Sequence, residues 1–356
     1  MLLSPKTGGR PNSSAGCLAW YMSEITILSP MAHSTDRTDP SDVRLSQLIQ
    51  PASEAALAES QVVLLGLPTD DGIRRNGGRT GASEAPNAIR HWLGKLTPFA
   101  GPQFKHHIDA LQIVDFGDIA SGELEAMHEQ AAKLIQELSA AGKIVITLGG
   151  GHDITYPLVK GFGEGRAQHV PKSGSITEIG LINVDAHLDV REKKNGQRHS
   201  GSSFRLLIEE GIVSGPHFAE IGIQSFVNAQ AHFEWLLQQR SRILTFEDAT
   251  AAHLPNAFEE CEFAITRGDP DMPLYLSFDM DCVRASDAPG VSAPSPIGFL
   301  AEEVYELAVA AGLSKNVRAL DIVEVSPPHD VDGRTSRLAA RMIAGFLAGV
   351  ANRDFA

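Results

Sequence analysis

Histidine and carboxylate side chains recur along this chain at spacings that suit the binding of two divalent ions. The segments are Gly149-Gly150-Gly151-His152-Asp153, Asp185-Ala186-His187-Leu188-Asp189 and Asp279-Met280-Asp281, with Glu324 further on. Residues i and i+2 of an extended chain face the same side, roughly 6.6–6.8 Å apart along it. That span is too long for one ion without a bend, but it suits two ions about 3.5–4 Å apart. Asp185 with His187 and Asp279 with Asp281 are such pairs. On this reading His152 and Asp189 cap one ion, His187 and Asp281 serve the other, and Asp185 and Asp279 bridge them. Four carboxylates and two neutral imidazoles carry the charge that balances two divalent cations. Mostly oxygen donors with a little imidazole fit manganese better than zinc, whose sites lean on cysteine and histidine.

Taken singly, each segment has a plainer reading: a hydrogen-bonded histidine, a solvated turn, or a pair of helix-capping aspartates. Their common placement decides against those readings. Each follows a short apolar, β-branched run, and these runs recur from Gln61 onward: Val62–Gly66, Leu111–Val114, Lys143–Leu148, Ile179–Val184, Phe218–Gly222, Arg242–Phe246, Leu274–Phe278 and Val317–Val323. Between most of them lie stretches of helical composition. The clearest is Glu123 to Ala141, with Leu124, Met127, Ala131, Leu134, Ile135 and Leu138 on one face and Gly142 as a C-terminal stop. Strands that are apolar throughout, alternating with amphipathic helices, predict a parallel sheet covered on both sides. Ligands of such a sheet bind beyond the carboxyl ends of its strands, which is where His152, Asp185, Asp279 and Glu324 fall. A buried strand ending in uncompensated carboxylates is costly, so a counter-ion is expected there.

Bulk properties narrow the function further. The 356 residues include 30 Lys and Arg against 44 Asp and Glu, a net charge of −14. An acidic surface of this kind repels phosphate backbones and anionic lipid, so neither nucleic acid nor a membrane is expected as a partner. Cys17, Cys261 and Cys282 form no disulfide pattern, which together with the absence of a secretory signal or a membrane-length apolar run predicts a cytoplasmic protein. Residues 1–45 are rich in Ser, Pro, Thr and Gly and predict a poorly ordered tail. Residues 46–356 predict a single catalytic domain.

The four segments, with Ser277-Phe278-Asp279-Met280-Asp281 and Asp321-Ile322-Val323-Glu324-Val325 at the last two places, resemble the motifs of the ureohydrolases, the arginase and agmatinase family. The resemblance runs from about Val62 to the C-terminal helix and takes in Gly66-Leu67-Pro68 and Asn76-Gly77-Gly78-Arg79-Thr80-Gly81-Ala82. It implies a three-layer α/β/α fold around an eight-stranded parallel sheet, two Mn2+ per chain and a homo-oligomer, a trimer or hexamer. Within the family, Asp71-Gly72-Ile73-Arg74-Arg75-Asn76-Gly77-Gly78-Arg79 and Ala288-Pro289-Gly290-Val291-Ser292-Ala293-Pro294 are most similar to the formimidoylglutamase branch. That branch implies hydrolysis of formimidoylglutamate to glutamate and formamide in histidine degradation. A guanidino hydrolase (agmatinase, guanidinobutyrase or arginase) is the alternative, and a catalytically silent structural subunit is the reading of another class.

Further roles follow from the resemblance. Glu324 would face the cationic amidine, and Asp153 would serve as a supporting group or proton relay. Arginases and agmatinases carry a His-Gly pair whose histidine shuttles protons; here Ser200 takes that histidine's place, with His199 one residue earlier as the candidate. A substrate with two carboxylates also calls for cations. Arg74, Arg75 and Arg79 in the loop after the first strand, and Arg191, Arg198 and Arg205 after the Asp185 motif, are the candidates, of which one or two should matter.

Overall fold

The alternating pattern of the strands has a direct structural counterpart. In the computed structural model, which describes residues 27–28, 39–120, 122–167 and 178–353, successive strand residues point into two separate cores. Val62 and Leu64 face one core and Val63 and Leu65 the other; Leu274, Leu276 and Phe278 oppose Tyr275 in the same way. Both faces of each strand are buried, which is why the runs read as apolar throughout. One core is closed by the helices Ala85–Leu93, Phe246–Ala252, Leu254–Thr266, Ala301–Leu313 and Arg334–Ala351. The other is closed by Glu54–Glu59, Leu124–Ala140, Thr155–Arg166, Ser203–Glu209 and Gln230–Gln238. The result is the expected three-layer α/β/α arrangement.

The strands are β1 (Ile27–Leu28), β2 (Gln50–Pro51), β3 (Val62–Gly66), β4 (Ile113–Ile119), β5 (Ile144–Leu148), β6 (Gly180–Val184), β7 (Phe218–Ile223), β8 (Arg242–Thr245), β9 (Leu274–Asp279) and β10 (Val317–Val323). Their order in the sheet is β1-β4-β3-β5-β10-β9-β6-β7-β8, with β2 also on β4. Strands β3 to β10 are the eight expected and all pair in parallel. The sheet gains two strands of two residues each, β2 in parallel and β1 antiparallel on β4. Strand β1 comes from the stretch 1–45 expected as a tail, where a two-residue pairing leaves no periodicity to read. The rest of that stretch up to residue 38 lies outside the described residues.

Four strands separated in sequence become neighbours in the middle of the sheet. Leu148 of β5 pairs with Ile322 of β10, Ile322 with Phe278 of β9, and Phe278 with Val184 of β6. Their carboxyl ends are therefore level, and the residues that follow emerge along one rim. Glycine lets the chain turn there. A Cβ on Gly150 would overlap the Thr69 carbonyl oxygen and lie 2.8 Å from Thr69 N and 2.9 Å from Leu67 O, so only glycine lets the segment after β5 press against the one after β3.

Candidate metal centre and substrate pocket

The turn after β5 is a short 3₁₀ segment, His152–Ile154, that buries the His152 ring completely. Its orientation is held from behind. Nε2 lies 3.0 Å from Ser277 Oγ, and Ser277 Oγ donates to Asp321 Oδ1 at 2.7 Å. Asp321 also accepts from Thr155 Oγ1 and Tyr275 OH, each at 2.8 Å. With Nε2 engaged there, Nδ1 is the atom presented to the rim. It faces Asp279 Oδ2 at 3.0 Å and Asp185 Oδ2 and Asp189 Oδ2 at 3.2 Å each. The aspartates are fixed by their own backbone: Asp185 Oδ1 accepts from His187 N at 2.7 Å, and Asp279 Oδ1 from Asp281 N at 2.8 Å. His187 Nδ1 lies 3.1 Å from Asp281 Oδ2 and 3.6 Å from Asp185 Oδ1.

Two ligand sets result, His152-Asp185-Asp189-Asp279 and Asp185-His187-Asp281. All six expected ligands are brought together. Asp185 is common to both sets; Asp279, expected beside it as a second bridge, falls in the first set with His152, Asp185 and Asp189. The donors fit divalent cations on two further grounds. His152 Nδ1 and Asp281 Oδ1 are buried without a hydrogen-bond partner, and the four carboxylates are crowded among themselves. Burial pushes Asp279 well above the usual carboxylate range and Asp281 up to about 6, with neighbouring aspartates adding to both shifts. For His152, burial opposes the charge, but Asp185, Asp189 and Asp279 outweigh it and raise the imidazole well above its ordinary value. Asp281 raises His187 in the same direction, against its burial. In the metal-free chain protonated imidazoles thus stand where cations are needed.

Glu324 follows β10 in a left-handed backbone conformation, φ 64°. Its Oε1 accepts from His152 N at 2.9 Å, and burial pushes the carboxyl up to about 8. It lines a cavity of about 200 Å³ together with His187, Asp189, Asp279 and Asp281. Asn76, Gly77, Gly78, Arg191, Ser200, Ser292 and Ala293 complete the lining.

Several expected site residues are placed elsewhere. Asp153 points away from the ligands to His128 Nε2, 3.0 Å off in the helix Leu124–Ala140. The 3₁₀ turn sends consecutive side chains in different directions, so His152 and Asp153 do not share a role. His199 Nε2 lies 2.9 Å from Glu192 O, and the ring is buried away from the cavity, which Ser200 lines instead. Of the six arginines, only Arg191 reaches the cavity wall. Arg74 pairs with Asp70 and Asp71 in the open, Arg75 with Glu125 at 2.5 Å, and Arg205 with Glu209 and Glu192. Arg198 lies over the Tyr156 ring. Arg79 donates to Ser292 O and Val291 O, stitching two loops together. Local acids and carbonyls within reach of flexible side chains captured these arginines, a competition that spacing along a sequence cannot reveal. Asn76, Ser292 and Asn183, whose amide lies 3.2 Å from Asp185 Oδ2 and 2.8 Å from Glu220 Oε2, were not singled out from sequence. Neutral residues in loops and strands carry no chemical signal of their own. Asp321 and Ser277 lay within the quoted motifs, and Ser277 sits two positions before Asp279, on the same strand face.

The sequence signature described as the arginase family matches residues 60–349. The chain belongs to the arginase family. As a member, it is 34% identical over 313 residues to the formimidoylglutamase of Ralstonia nicotianae, covering 86% of this chain and 91% of that one. To the formimidoylglutamase of Rhodococcus jostii it is 32% identical over 320 residues, with 88% and 93% covered. A crystal structure of Trypanosoma cruzi formiminoglutamase with Mn2+2 superposes with a TM-score of 0.80 at 30% identity, over 88% of this chain and 99% of that one. The formimidoylglutamase of Bacillus subtilis superposes at 0.81 and 25% identity, over 91% and 97%. This arginase-family chain therefore shares its fold with a manganese-containing relative, and its own donor set fits that metal.

Proposed function

We propose that the protein is a binuclear manganese hydrolase of formimidoylglutamate. The observation that carries this reading is the polarity of the 200 Å³ cavity: His187, Asp189, Asp279 and Asp281 of the two ligand sets line it together with Glu324 and Arg191. His152, Asp185, Asp189 and Asp279 would hold one ion and Asp185, His187 and Asp281 the other. Manganese ions bound there supply the activation of water near neutral pH and the stabilisation of developing oxyanion charge.

The chain's own residues supply the rest. The cationic amidine draws the raised Glu324 carboxyl into its ionised form, and the pair holds the trigonal carbon in the cavity. Arg191 meets a substrate carboxylate at the wall. The oxygen of water bonds to the amidine carbon, and the bond from that carbon to the glutamate nitrogen breaks. The two water protons end on nitrogen, giving formamide and glutamate. Among the described residues His187 is the only histidine on the cavity wall, so a shuttle through His199 has no support in this geometry.

Arg191 also separates this reading from a guanidino hydrolase with a cationic substrate tail, which would need an acid at that place. A silent structural subunit would have no use for an intact set of six ligands. A homo-oligomer, a cytoplasmic location and a place in histidine degradation belong to the same reading. The test is turnover by the manganese-loaded protein on formimidoylglutamate, agmatine, 4-guanidinobutyrate and arginine. Formimidoylglutamate should be strongly preferred, and a faster reaction with agmatine would overturn the substrate while leaving the metal centre in place.

A further inference from the structure

One residue on the cavity wall has a geometry that the reaction itself does not account for. Asn76 ends the helix Asp71–Asn76, and Gly77, at φ 89°, turns the chain sharply after it. The Asn76 amide spans two distant segments: Oδ1 accepts from Arg191 Nη1 at 3.0 Å, and Nδ2 donates to Ser200 Oγ at 3.1 Å. All three residues line the cavity. The backbone reinforces the arrangement, because Arg191 N donates to Gly201 O at 2.8 Å. A Cβ on Gly201 would stand 3.1 Å from both Arg191 Cδ and Asn76 Nδ2, so the three segments are in close contact.

The choice of an amide has a consequence for charge. Arg74, Arg75 and Arg205 are each held by carboxylates that cancel their charge locally. Arg191 is held by a neutral oxygen. A neutral acceptor restricts the direction of the guanidinium, uses one of its five N–H donors, and leaves the full positive charge available. Ordering the side chain in advance also lowers the entropy that binding must overcome, since a long arginine loses its rotamer freedom when fixed.

We propose that Asn76 is a positioning residue for substrate selection: it holds Arg191 at the cavity wall, with no direct ion pair among the described residues, for a carboxylate of the substrate. This rests on the reading of the substrate as a dicarboxylate. The test is a double-mutant cycle on the manganese-loaded full chain with formimidoylglutamate, using Asn76→Ala, Asn76→Asp, Arg191→Ala and the two combinations. Asn76→Ala frees the arginine, and Asn76→Asp keeps the shape but cancels the charge. Each should raise KM about tenfold, the scale of one hydrogen bond to a charged group, with kcat changed less than about threefold.

In the Arg191→Ala background neither Asn76 change should raise KM further. Manganese content and thermal midpoint are measured alongside. If Asn76→Ala proves unstable, the isosteric Asn76→Asp carries the cycle alone. Additive increases in KM, or a loss confined to kcat, would overturn the role of Asn76. A wild-type protein inactive on formimidoylglutamate but active on a guanidino substrate would instead remove the reading beneath it, and that result is visible before any variant is made.

Discussion

At the scale of single residues, the proposed function separates groups that would hold metal from groups that would read substrate. Asp185 belongs to both ligand sets. Asp185→Ala should therefore cost the protein both ions and all activity, measured as manganese per chain after gel filtration; retention of two ions with full turnover would refute the shared-ligand geometry. Glu324 behaves differently. Gln in its place keeps an oxygen for the His152 N–H but loses the charge facing the amidine. Metal content should be unchanged, while kcat/KM falls by roughly two to three orders of magnitude, about 2.7–4 kcal/mol. If metal is lost as well, Glu324 supports the centre through His152 and does not read the substrate. Among the arginines, Arg191→Ala should raise KM for formimidoylglutamate by about ten- to a hundredfold, the cost of a lost charged hydrogen bond. Arg205→Ala, which removes a half-buried side chain paired with Glu209 outside the cavity lining, should be near neutral in the same assay.

At the scale of elements, the centre depends on four strand ends being level and on one glycine that lets two loops touch. Gly151 N donates to Thr69 O at 3.0 Å, Gly149 N to Ile322 O at 2.8 Å, and Glu324 N to Gly150 O at 2.9 Å. The glycine segment thus ties the turn after β3 to the end of β10. The three atoms nearest a Gly150 Cβ are all backbone, so moving a side chain aside gives no relief. Gly150→Ala should destabilise the protein by about 1–3 kcal/mol, as overpacking of a rigid site does. Because His152 is two residues on, manganese affinity should fall too. Denaturant melts of the metal-loaded and metal-free forms check this: equal loss in both would show strain without an effect on the centre.

At the scale of the whole molecule, the buried centre couples stability to pH and to metal in opposite senses. In the metal-free protein most of its groups are raised. Burial lifts Asp279, Asp281 and Glu324, carboxylates lift His152 and His187, and burial also lifts Glu220, close behind Asp185. Asp185 is lowered; burial opposes this, but His152 and His187 outweigh it. A group whose folded value is raised binds protons better in the native state, so its contribution is complete below its unfolded value and is lost as pH rises toward the folded one. The thermal midpoint of the metal-free protein should therefore fall as pH climbs from about 5 to 8, above the ordinary carboxylate values and through the ordinary histidine range. Manganese requires ionised carboxylates and neutral imidazoles, so its affinity should rise over the same interval and its binding should release protons. The metal-loaded midpoint should consequently hold or rise with pH. Scanning calorimetry of both forms across that range tests the opposition, and parallel curves would show that protons and metal do not compete for these groups.

How much of this was legible in the sequence depends on the kind of information each feature needs. The parallel sheet, its two covering layers and the convergence of six candidate ligands could be read from the chain because each is a local pattern: apolar runs, helical periodicity, and histidines and acids placed just past strand ends. Strand register then makes distant patterns coincide, as the pairing of Leu148, Ile322, Phe278 and Val184 shows. Side-chain direction and partnership were decided only in three dimensions. Arg75 and Arg191 look alike in sequence, yet one lies within reach of Glu125 and the other within reach of Asn76. His199 and Ser200 differ by one position, and the backbone sends the histidine to the Glu192 carbonyl and leaves the serine facing the cavity. The strand β1 rests on two residues that find an edge of β4 open to them. Spacing along a chain specifies where a side chain starts; which of several nearby charges, carbonyls and edges it meets depends on segments folded against it from far away, and the tertiary structure alone determines that.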